Sequence, residues 1–520
     1  MEYCLDSIPI EHKGKIYSLV GNRKNFNKDD LGELDFIDEE EVRFSNLDKT
    51  IGLLLRSIVD NANIAILFDT DVDGVCAGSI IYKYIKRLYR TPLALINKTK
   101  IHGLSNYIFD ECTKNDIDLL IVVDAGTNDY EYQERFNSAG IDIIVLDHHE
   151  IDDTDKYESD NTAIINCKDG VYKNRELSGA GVVYKFCEGL ESKLKVKDSK
   201  LDTLSEYVGI SIISDFCSTI SRENRFFINK LYTSKAFSPF TSSFLKYGIT
   251  QQSFSFGLVP AINSMIRVGN SIKAKDVFLT NSIREIELLK SMSEVSLISQ
   301  RKIVNLIKDS LNVRLLDNFC FDDITGKAIK VPMDIKRNFT GLIATAVREE
   351  FGKSTLITFR DSGNIRGSFR GTNDYDYKKV FNKGGIRALG HNNVFGIVTN
   401  KEEFSKGMRN VLENLPESKK EVDWDIEMTD MDMLRSRYFL QSCALFNEFS
   451  GKNLDKIRIK VEVNKRFLNV DYYERYYKFN LAVYEVIGFS RAKIEDAGDS
   501  IIVTPTLNSI DSPEFKLIIF

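Results

Sequence analysis

Several things are scarce in this chain of 520 residues. No stretch approaches the roughly 18 consecutive apolar residues that a membrane-spanning helix needs, so a helical membrane protein is excluded. Prolines number only eight, which rules out proline-rich linkers as the separators between domains. None of the eight cysteines forms a Cys-x-x-Cys pair. Their scatter through apolar surroundings reads as reduced thiols and argues against a disulfide scaffold or a structural zinc. An excess of positive charge is missing too: 70 Lys and Arg stand against 76 Asp and Glu, a net charge of −6. A whole-protein footprint for duplex DNA is thereby excluded, though a local basic groove is not. The opening MEYCLDSIPI has no signal-peptide pattern, and the expected location is the cytoplasm, with no membrane association.

What is present is an ordinary globular balance, 43% hydrophobic and 28% charged, with length for about three to five domains. Histidines number five, and two of them, His148 and His149, are adjacent. After a polar, acidic lead-in over 1–45 come short unalternating apolar runs: Ile64–Phe68, Leu93–Ile96, Leu119–Val123, Ile141–Leu146 and Ala163–Ile165. Such runs suit strands buried on both faces. Helical stretches between them, including Val75–Tyr89 and Asn106–Asn115, predict an open α/β sheet that binds ligands at the carboxyl ends of its strands. Residues 271–312 read as a long connecting helix or helix pair. From about 328 a glycine-rich α/β pattern returns, and the last hundred residues, with runs at Ile457–Val463, Ile501–Thr504 and Lys516–Phe520, read as a small β-rich module.

The strand ends carry the chemistry. The first run leads into Asp69-Thr70-Asp71-Val72-Asp73-Gly74, the third into Asp124-Ala125-Gly126, the fourth into Asp147-His148-His149. A parallel sheet gathers these at one edge, and so many carboxylates cannot all stay ionised without a cation. Oxygen-rich sites with one or two imidazoles suit Mn²⁺ or Mg²⁺, and two such ions would activate water against a phosphoester. A single acidic strand end is an ordinary cap or turn; three together outweigh that reading. An EF-hand is disfavoured, because Ile80 occupies the place of its closing glutamate.

These motifs resemble the DHH phosphoesterases, most of all their RecJ-like branch. The likeness continues through His102-Gly103-Leu104, where that family has a Gly-Tyr-Gly-Leu turn, and through Leu177–Val182, Gly209–Asp215 with Glu223-Asn224-Arg225, and Pro260–Arg267. Asn338–Ala346, Gly367–Arg370 and Leu389–Gly396 resemble the DHH-associated domain, so the resemblance covers roughly 45–400. It implies a parallel-sheet DHH catalytic domain (46–235), a helical connector (236–325), an α/β DHH-associated substrate-binding domain (326–418) and a β-rich, conceivably OB-like module (419–520). It implies two divalent cations, Mn²⁺ or Mg²⁺, with Asp71, Asp73, Asp124, His148 and Asp215 as ligands and Asp69 as a ligand or a partner behind one. His149 would join these as a catalytic residue at the phosphate. Ser178, Gly179, Arg267, Ser368, Arg370, Gly390 and His391 would contact substrate.

The implied activity is 5′→3′ hydrolysis of single-stranded DNA to mononucleotides by a monomer serving DNA repair and recombination, with a single-strand-binding protein or a helicase as candidate partners. The alternatives are a phosphodiesterase for short oligonucleotides or cyclic dinucleotides and an inactive single-strand-binding scaffold. Departures from the pattern, Ala261 and Ala346 where arginine is usual, remove phosphate contacts but no metal ligand. Two stretches support strand binding. Six Lys/Arg lie between 363 and 387 against two acids, and Lys456–Phe479 interleaves seven basic residues with Phe467, Tyr472, Tyr473, Tyr476, Tyr477 and Phe479. A charged turn and a tyrosine-packed core are the plainer readings of the two.

Overall fold

The computed structural model describes residues 15–16, 43–151, 159–197, 200–245, 248–316, 319–324, 337–361, 363–372, 375–390, 392–415, 424–451, 456–463, 468–473, 476–489, 500–508 and 514–519. Most of the acidic lead-in falls outside them.

Helix α1 (Leu47–Val59) precedes the first sheet, which is built from β1 (Ile64–Phe68), β2 (Leu93–Ile96), β3 (Leu119–Val123), β4 (Asp142–Asp147) and β5 (Thr162–Asn166). Its order is β2-β1-β3-β4-β5 and every pairing is parallel. β1, β3 and β5 are buried at every position, which is why β1 and β3 are unbroken apolar runs and β5 has an apolar centre. Intervening helices α2 (Val72–Leu88), α3 (Asn106–Lys114) and α4 (Tyr130–Ser138) complete the α/β layers. Strand order reverses between β1 and β3, so the crevice beyond their carboxyl ends is where such a sheet binds ligands. Asp69 to Asp73 and Asp124 lie there. Three more helices follow β5, α5 (Gly179–Leu194), α6 (Ser205–Ser214) and α7 (Arg222–Tyr232); α5 and α6 pack against α2, α7 packs on α6, and α6 ends at Asp215.

The connector is a chain of short helices, among them α8 (Val259–Arg267), followed by the 27-residue α9 (Ile283–Asp309). The long helix therefore begins later than the 271–312 pattern suggests, because a separate turn of helix at Ser271–Ala274 intervenes. Beyond it lies a six-stranded sheet of β6 (Arg314–Leu315), β7 (Phe319–Asp323), β8 (Ser354–Asp361), β9 (Asn364–Arg370), β10 (Arg387–Gly390) and β11 (Val394–Asn400). Its order is β10-β11-β9-β8-β7-β6, with α10 (Thr340–Phe351) packed on it.

The third sheet holds β12 (Ile426–Met428), β13 (Ile459–Glu462), β14 (Asp471–Tyr472), β15 (Tyr476–Leu481), β16 (Tyr484–Phe489), β17 (Ser500–Leu507) and β18 (Phe515–Ile519). It is mixed, with β12–β13 and β16–β18 parallel. Its apolar side chains, from Ile459 to Leu517, join the same continuous core as the first domain. The seam is polar and specific: the Tyr232 hydroxyl donates to the Glu448 carbonyl (2.9 Å), and Gln251 donates through its backbone to the Glu448 carboxylate (2.6 Å) and through its side chain to the Ser450 carbonyl (2.6 Å). Beside it Gly451 backs onto the turn after Asp215, where an added Cβ would stand 2.7 Å from Thr219 Cγ2 and 2.8 Å from the Cys217 carbonyl. No described helix is long and apolar enough to cross a membrane.

Candidate metal centre

Three sheet-edge segments and the end of α6 meet in one cup. Asp71 caps α2, accepting from the Gly74 N–H at 3.1 Å, which aims the Asp71-Val72-Asp73 backbone across the crevice. Asp73 is almost wholly buried and receives the first two N–H groups of α5, Gly179 and Ala180, both at 2.8 Å. Helix N-terminal donors are a ready anion site, and here the anion is the protein's own carboxylate. Ser178 caps the same helix and is fully buried, hydrogen-bonded with Ser211. Of the two residues expected to contact substrate, Gly179 gives its N–H to Asp73, and the Ser178 hydroxyl accepts from Ser211 and from the Gly181 N–H.

Asp124 sits in left-handed backbone (φ 58°) directly after β3 and is 1% exposed, with Oδ1 lacking any hydrogen-bond partner. His148 Nε2 lies 3.2 Å from Asp124 Oδ1, 3.7 Å from Asp215 and 3.8 Å from Asp73. Its Nδ1 is 3.0 Å from the Leu177 carbonyl, which only accepts, so the ring proton sits on Nδ1 and the Nε2 lone pair faces the acids. Asp147 binds none of this directly. It accepts from the backbone of Thr127, His148 and His149 and from His149 Nδ1 at 2.8 Å, fixing the Asp-His-His turn and leaving the His149 ring half-exposed over the cup. Asp69, 2% exposed, is engaged by the Gly103 N–H at 3.0 Å and by His102 Nδ1.

The electrostatics ask for a cation. Burial pushes Asp73 up to about 8, with Asp215 and Asp71 adding to the rise, and burial beside Asp73 and Asp71 pushes Asp124 well above the carboxylate range. Burial also pulls His148 down, helped by its neighbour His149, which keeps the ring neutral and able to ligate. An unpartnered buried carboxylate oxygen, acids forced to hold protons and a neutral imidazole aimed at them together fit a divalent cation bound by oxygen and nitrogen. Asp73, Asp124, Asp215 and His148 would hold one, with Asp71 on the open side.

A pH dependence follows. A proton held by folded Asp73 up to about pH 8 is released by the unfolded chain above about pH 4. Without metal the folded state therefore binds the extra proton across that window, and stability falls as pH rises through it. The melting temperature of chelator-treated protein is expected to drop between pH 6 and pH 8, and Mn²⁺ should raise it more at pH 8, since the ion takes the proton's place. Equal Mn²⁺-induced shifts at both pH values would contradict this.

Facing the acids is a cationic wall drawn from three elements. Lys100, after β2, is pulled down to about 8 by burial and by the adjacent Arg267. Arg267, at the end of α8, is held at about 10 by burial, opposed by the Asp71 charge. Arg370, at the end of β9, is held at about 10 by burial and by Arg348 and Arg267. Arg370 lies over Gly341, where any Cβ would reach 2.4 Å from its Nη2, and Ser368 shares a 2.8 Å hydrogen bond with Thr340 beneath it. Arg337 ties the wall together by donating to Thr99 at 3.1 Å. Asp71 is nonetheless low: burial raises it, but His102 and Lys100 more than offset that. Sequence reasoning named Arg267 and Arg370 and missed Lys100. The signal was available, since Lys100 follows a strand whose carboxyl end joins the same edge.

Gly390 ends β10 with φ 131°, its carbonyl taking the Lys378 ammonium at 3.0 Å. His391 lies outside the described residues, as does Phe467. The tyrosine-rich stretch divides: Tyr477 and Phe479 are core, while Tyr472 and Tyr473 are 61% and 51% exposed, Tyr473 stacking on Tyr476 with centroids 4.6 Å apart.

Residues 63–211 match the N-terminal domain of the DHH family. A Bacillus subtilis prophage protein, YorK, whose name describes a single-strand DNA-specific exonuclease, is 28% identical over 443 residues, covering 77% of this chain and 74% of its own. The chain is similar to RecJ-like members of the DHH family. Its fold matches crystal structures of RecJ from Thermus thermophilus in complex with Mn²⁺ (TM-score 0.72, 16% identity, 99% of this chain and 76% of that one) and with Mg²⁺ (TM-score 0.68, 16% identity, 99% and 74%). The RecJ-like resemblance of the motifs is thereby matched by the architecture, including the mixed sheets beyond the catalytic domain.

Proposed function

We propose that this chain is a metal-dependent exonuclease that hydrolyses single-stranded DNA from the 5′ end, releasing 5′-mononucleotides. The observation that carries the reading is the opposition of the acid–imidazole cup to the wall of Lys100, Arg267 and Arg370 contributed by both domains. The names and folds of the relatives support the substrate class. Two divalent cations, when bound, would supply an activated water and neutralise charge on the phosphate oxygens. The chain's own residues do the rest. His148, its tautomer fixed by Leu177, and the buried acids keep the reacting end dry and oriented. The cationic wall grips phosphate and stabilises charge as it develops.

Three crowded cations beside Asp71 suit a phosphate monoester, which carries close to two negative charges, better than a diester with one. A phosphorylated strand end is therefore the preferred ligand. Lys100→Ala and Arg370→Ala should each raise KM for a 5′-phosphorylated oligonucleotide about 10–100-fold, from the strength of charge-assisted hydrogen bonds. The penalty should be smaller for a 5′-hydroxyl strand. Equal penalties on both substrates would place these residues on internal phosphates instead.

The direct test uses single strands labelled at either end, with Mn²⁺ or Mg²⁺. Early release of labelled mononucleotide from the 5′ end, blocked when that end is paired, is the expected result. Cleavage confined to dinucleotides would move the chain to the small-substrate phosphodiesterases, and strand binding without cleavage would make it a scaffold.

A further inference from the structure

The candidate ligands fall into groups, and one of them was not anticipated. Asp73, His148 and Asp215 bring a ligand atom each within 4.8 Å of one another, and so, separately, do Asp69, Asp71 and His102. The first group has a neutral imidazole whose Nδ1 is fixed by a carbonyl. The second has an imidazole whose Nδ1 is fixed by the buried carboxylate of Asp69. Asp69 is itself immobilised, since its other oxygen takes the Gly103 N–H at 3.0 Å. A carboxylate facing Nδ1 accepts its proton in a hydrogen bond, which leaves Nε2 as the ring atom with a lone pair. Nε2 has no protein partner among the described residues, the ring is half-exposed, and Asp71 lies in the same group of ligand atoms.

We propose that His102 is a ligand of the second divalent cation through Nε2, with Asp71 as its co-ligand and Asp69 as the buried group that orients the imidazole. The proposal rests on the two-cation reading above and deepens it. Three features carry it together. A carboxylate behind the distal ring nitrogen is how metal-binding histidines are held and made more basic. The backbone supports the same arrangement, because Gly103, with φ 71°, turns the chain so that residues 102 and 103 address the two oxygens of one acid. Finally, the cup already commits His148 to Asp73, Asp124 and Asp215, and its other imidazole, His149, groups with Asp124 and His148 rather than with Asp71.

The test reads metal binding rather than turnover. Metal-free full-length protein is titrated with Mn²⁺ and followed by electron paramagnetic resonance, with electron spin-echo modulation reporting ¹⁴N ligation, for the wild type, His102→Ala, His102→Gln and Asp69→Asn. The wild type should bind two ions with nitrogen coupling at both. His102→Ala should hold one ion at wild-type affinity, through the His148 group, and bind the other at least tenfold more weakly and without nitrogen coupling. His102→Gln should restore part of the affinity but not the coupling. Asp69→Asn should weaken the second ion about 10–100-fold while leaving its coupling in place. Melting temperatures taken alongside identify a variant that has merely unfolded, in which case the Asp69→Asn and His102→Gln measurements decide.

Two ions bound by His102→Ala with unchanged affinity and spectra would overturn the assignment and make His102 a phosphate contact. A wild type that binds a single ion would overturn it as well. A wild type that binds two ions with the expected coupling but cuts no strand would instead sink the nuclease reading and leave the ligand assignment standing.

Discussion

Asp124→Asn is expected to abolish metal-dependent strand cleavage, by about 10³-fold or more, while making the metal-free protein more stable. Both halves come from the same placement. Asp124 is buried against Asp73 with an oxygen that has no partner, so its charge has a use only when a cation is present. Losing several kcal/mol of cation-borne stabilisation corresponds to roughly three decades in rate. Without metal, asparagine removes the cost of burying a carboxyl group beside Asp73 and Asp71 and should raise stability. Asparagine, like aspartate, is also tolerated by the left-handed backbone at φ 58°. The measurement is paired: initial rates with saturating Mn²⁺, and urea unfolding in chelator. A variant less stable than wild type in chelator would show that Asp124 has a structural partner the cup does not reveal.

Gly179→Ala should be nearly as damaging to activity by a purely steric route. A Cβ there would lie 2.3 Å from Asp124 Oδ1 and 2.7 Å from Asp124 Cβ, while the same residue's N–H holds Asp73 at 2.8 Å. One methyl group thus pushes on one acid and loosens its neighbour. Misplacing a catalytic group by about 1 Å costs on the order of 10²-fold, and overpacking of this kind costs about 1–3 kcal/mol of stability. The expected outcome is a folded protein with weakened Mn²⁺ affinity and at least a hundredfold loss in kcat/KM. Wild-type Mn²⁺ affinity in Gly179→Ala would mean that α5 shifts as a body without disturbing the cup.

The strands and the acids at their ends were legible because they obey local rules. Ile64–Phe68, Leu93–Ile96 and Leu119–Val123 coincide with β1, β2 and β3, since a strand buried on both faces must be an unbroken apolar run. The grouping of Asp71, Asp73, Asp124 and His148 followed from parallel topology alone. What the sequence could not convey is which partner a flexible donor finds. Ser178–Gly181 announces a close approach to something anionic, but glycine looks the same whether a phosphate or Asp73 arrives. His102 reads as a turn residue until Asp69, 33 positions earlier, is seen behind it. Lys100 gains meaning only beside Arg267 and Arg370, which come from a different domain. In the tyrosine-rich stretch, alternation along β15 sends Tyr477 and Phe479 inward, and the basic–aromatic composition alone does not mark that face.

The way the third sheet is seated changes what kind of part it is. Gly451 rests on the Cys217–Thr219 turn immediately after Asp215, and Gln251 and Tyr232 lock that seat to Glu448 and Ser450. It works as a keystone: roughly the last fifth of the chain braces an acid of the cup from behind, and its apolar residues are mortared into the first domain's core. Cutting the chain before that module would not yield a smaller enzyme with poorer grip on its strand; it would leave Asp215 on an unsupported turn. Removing the module and unseating the turn after Asp215 are therefore one and the same change.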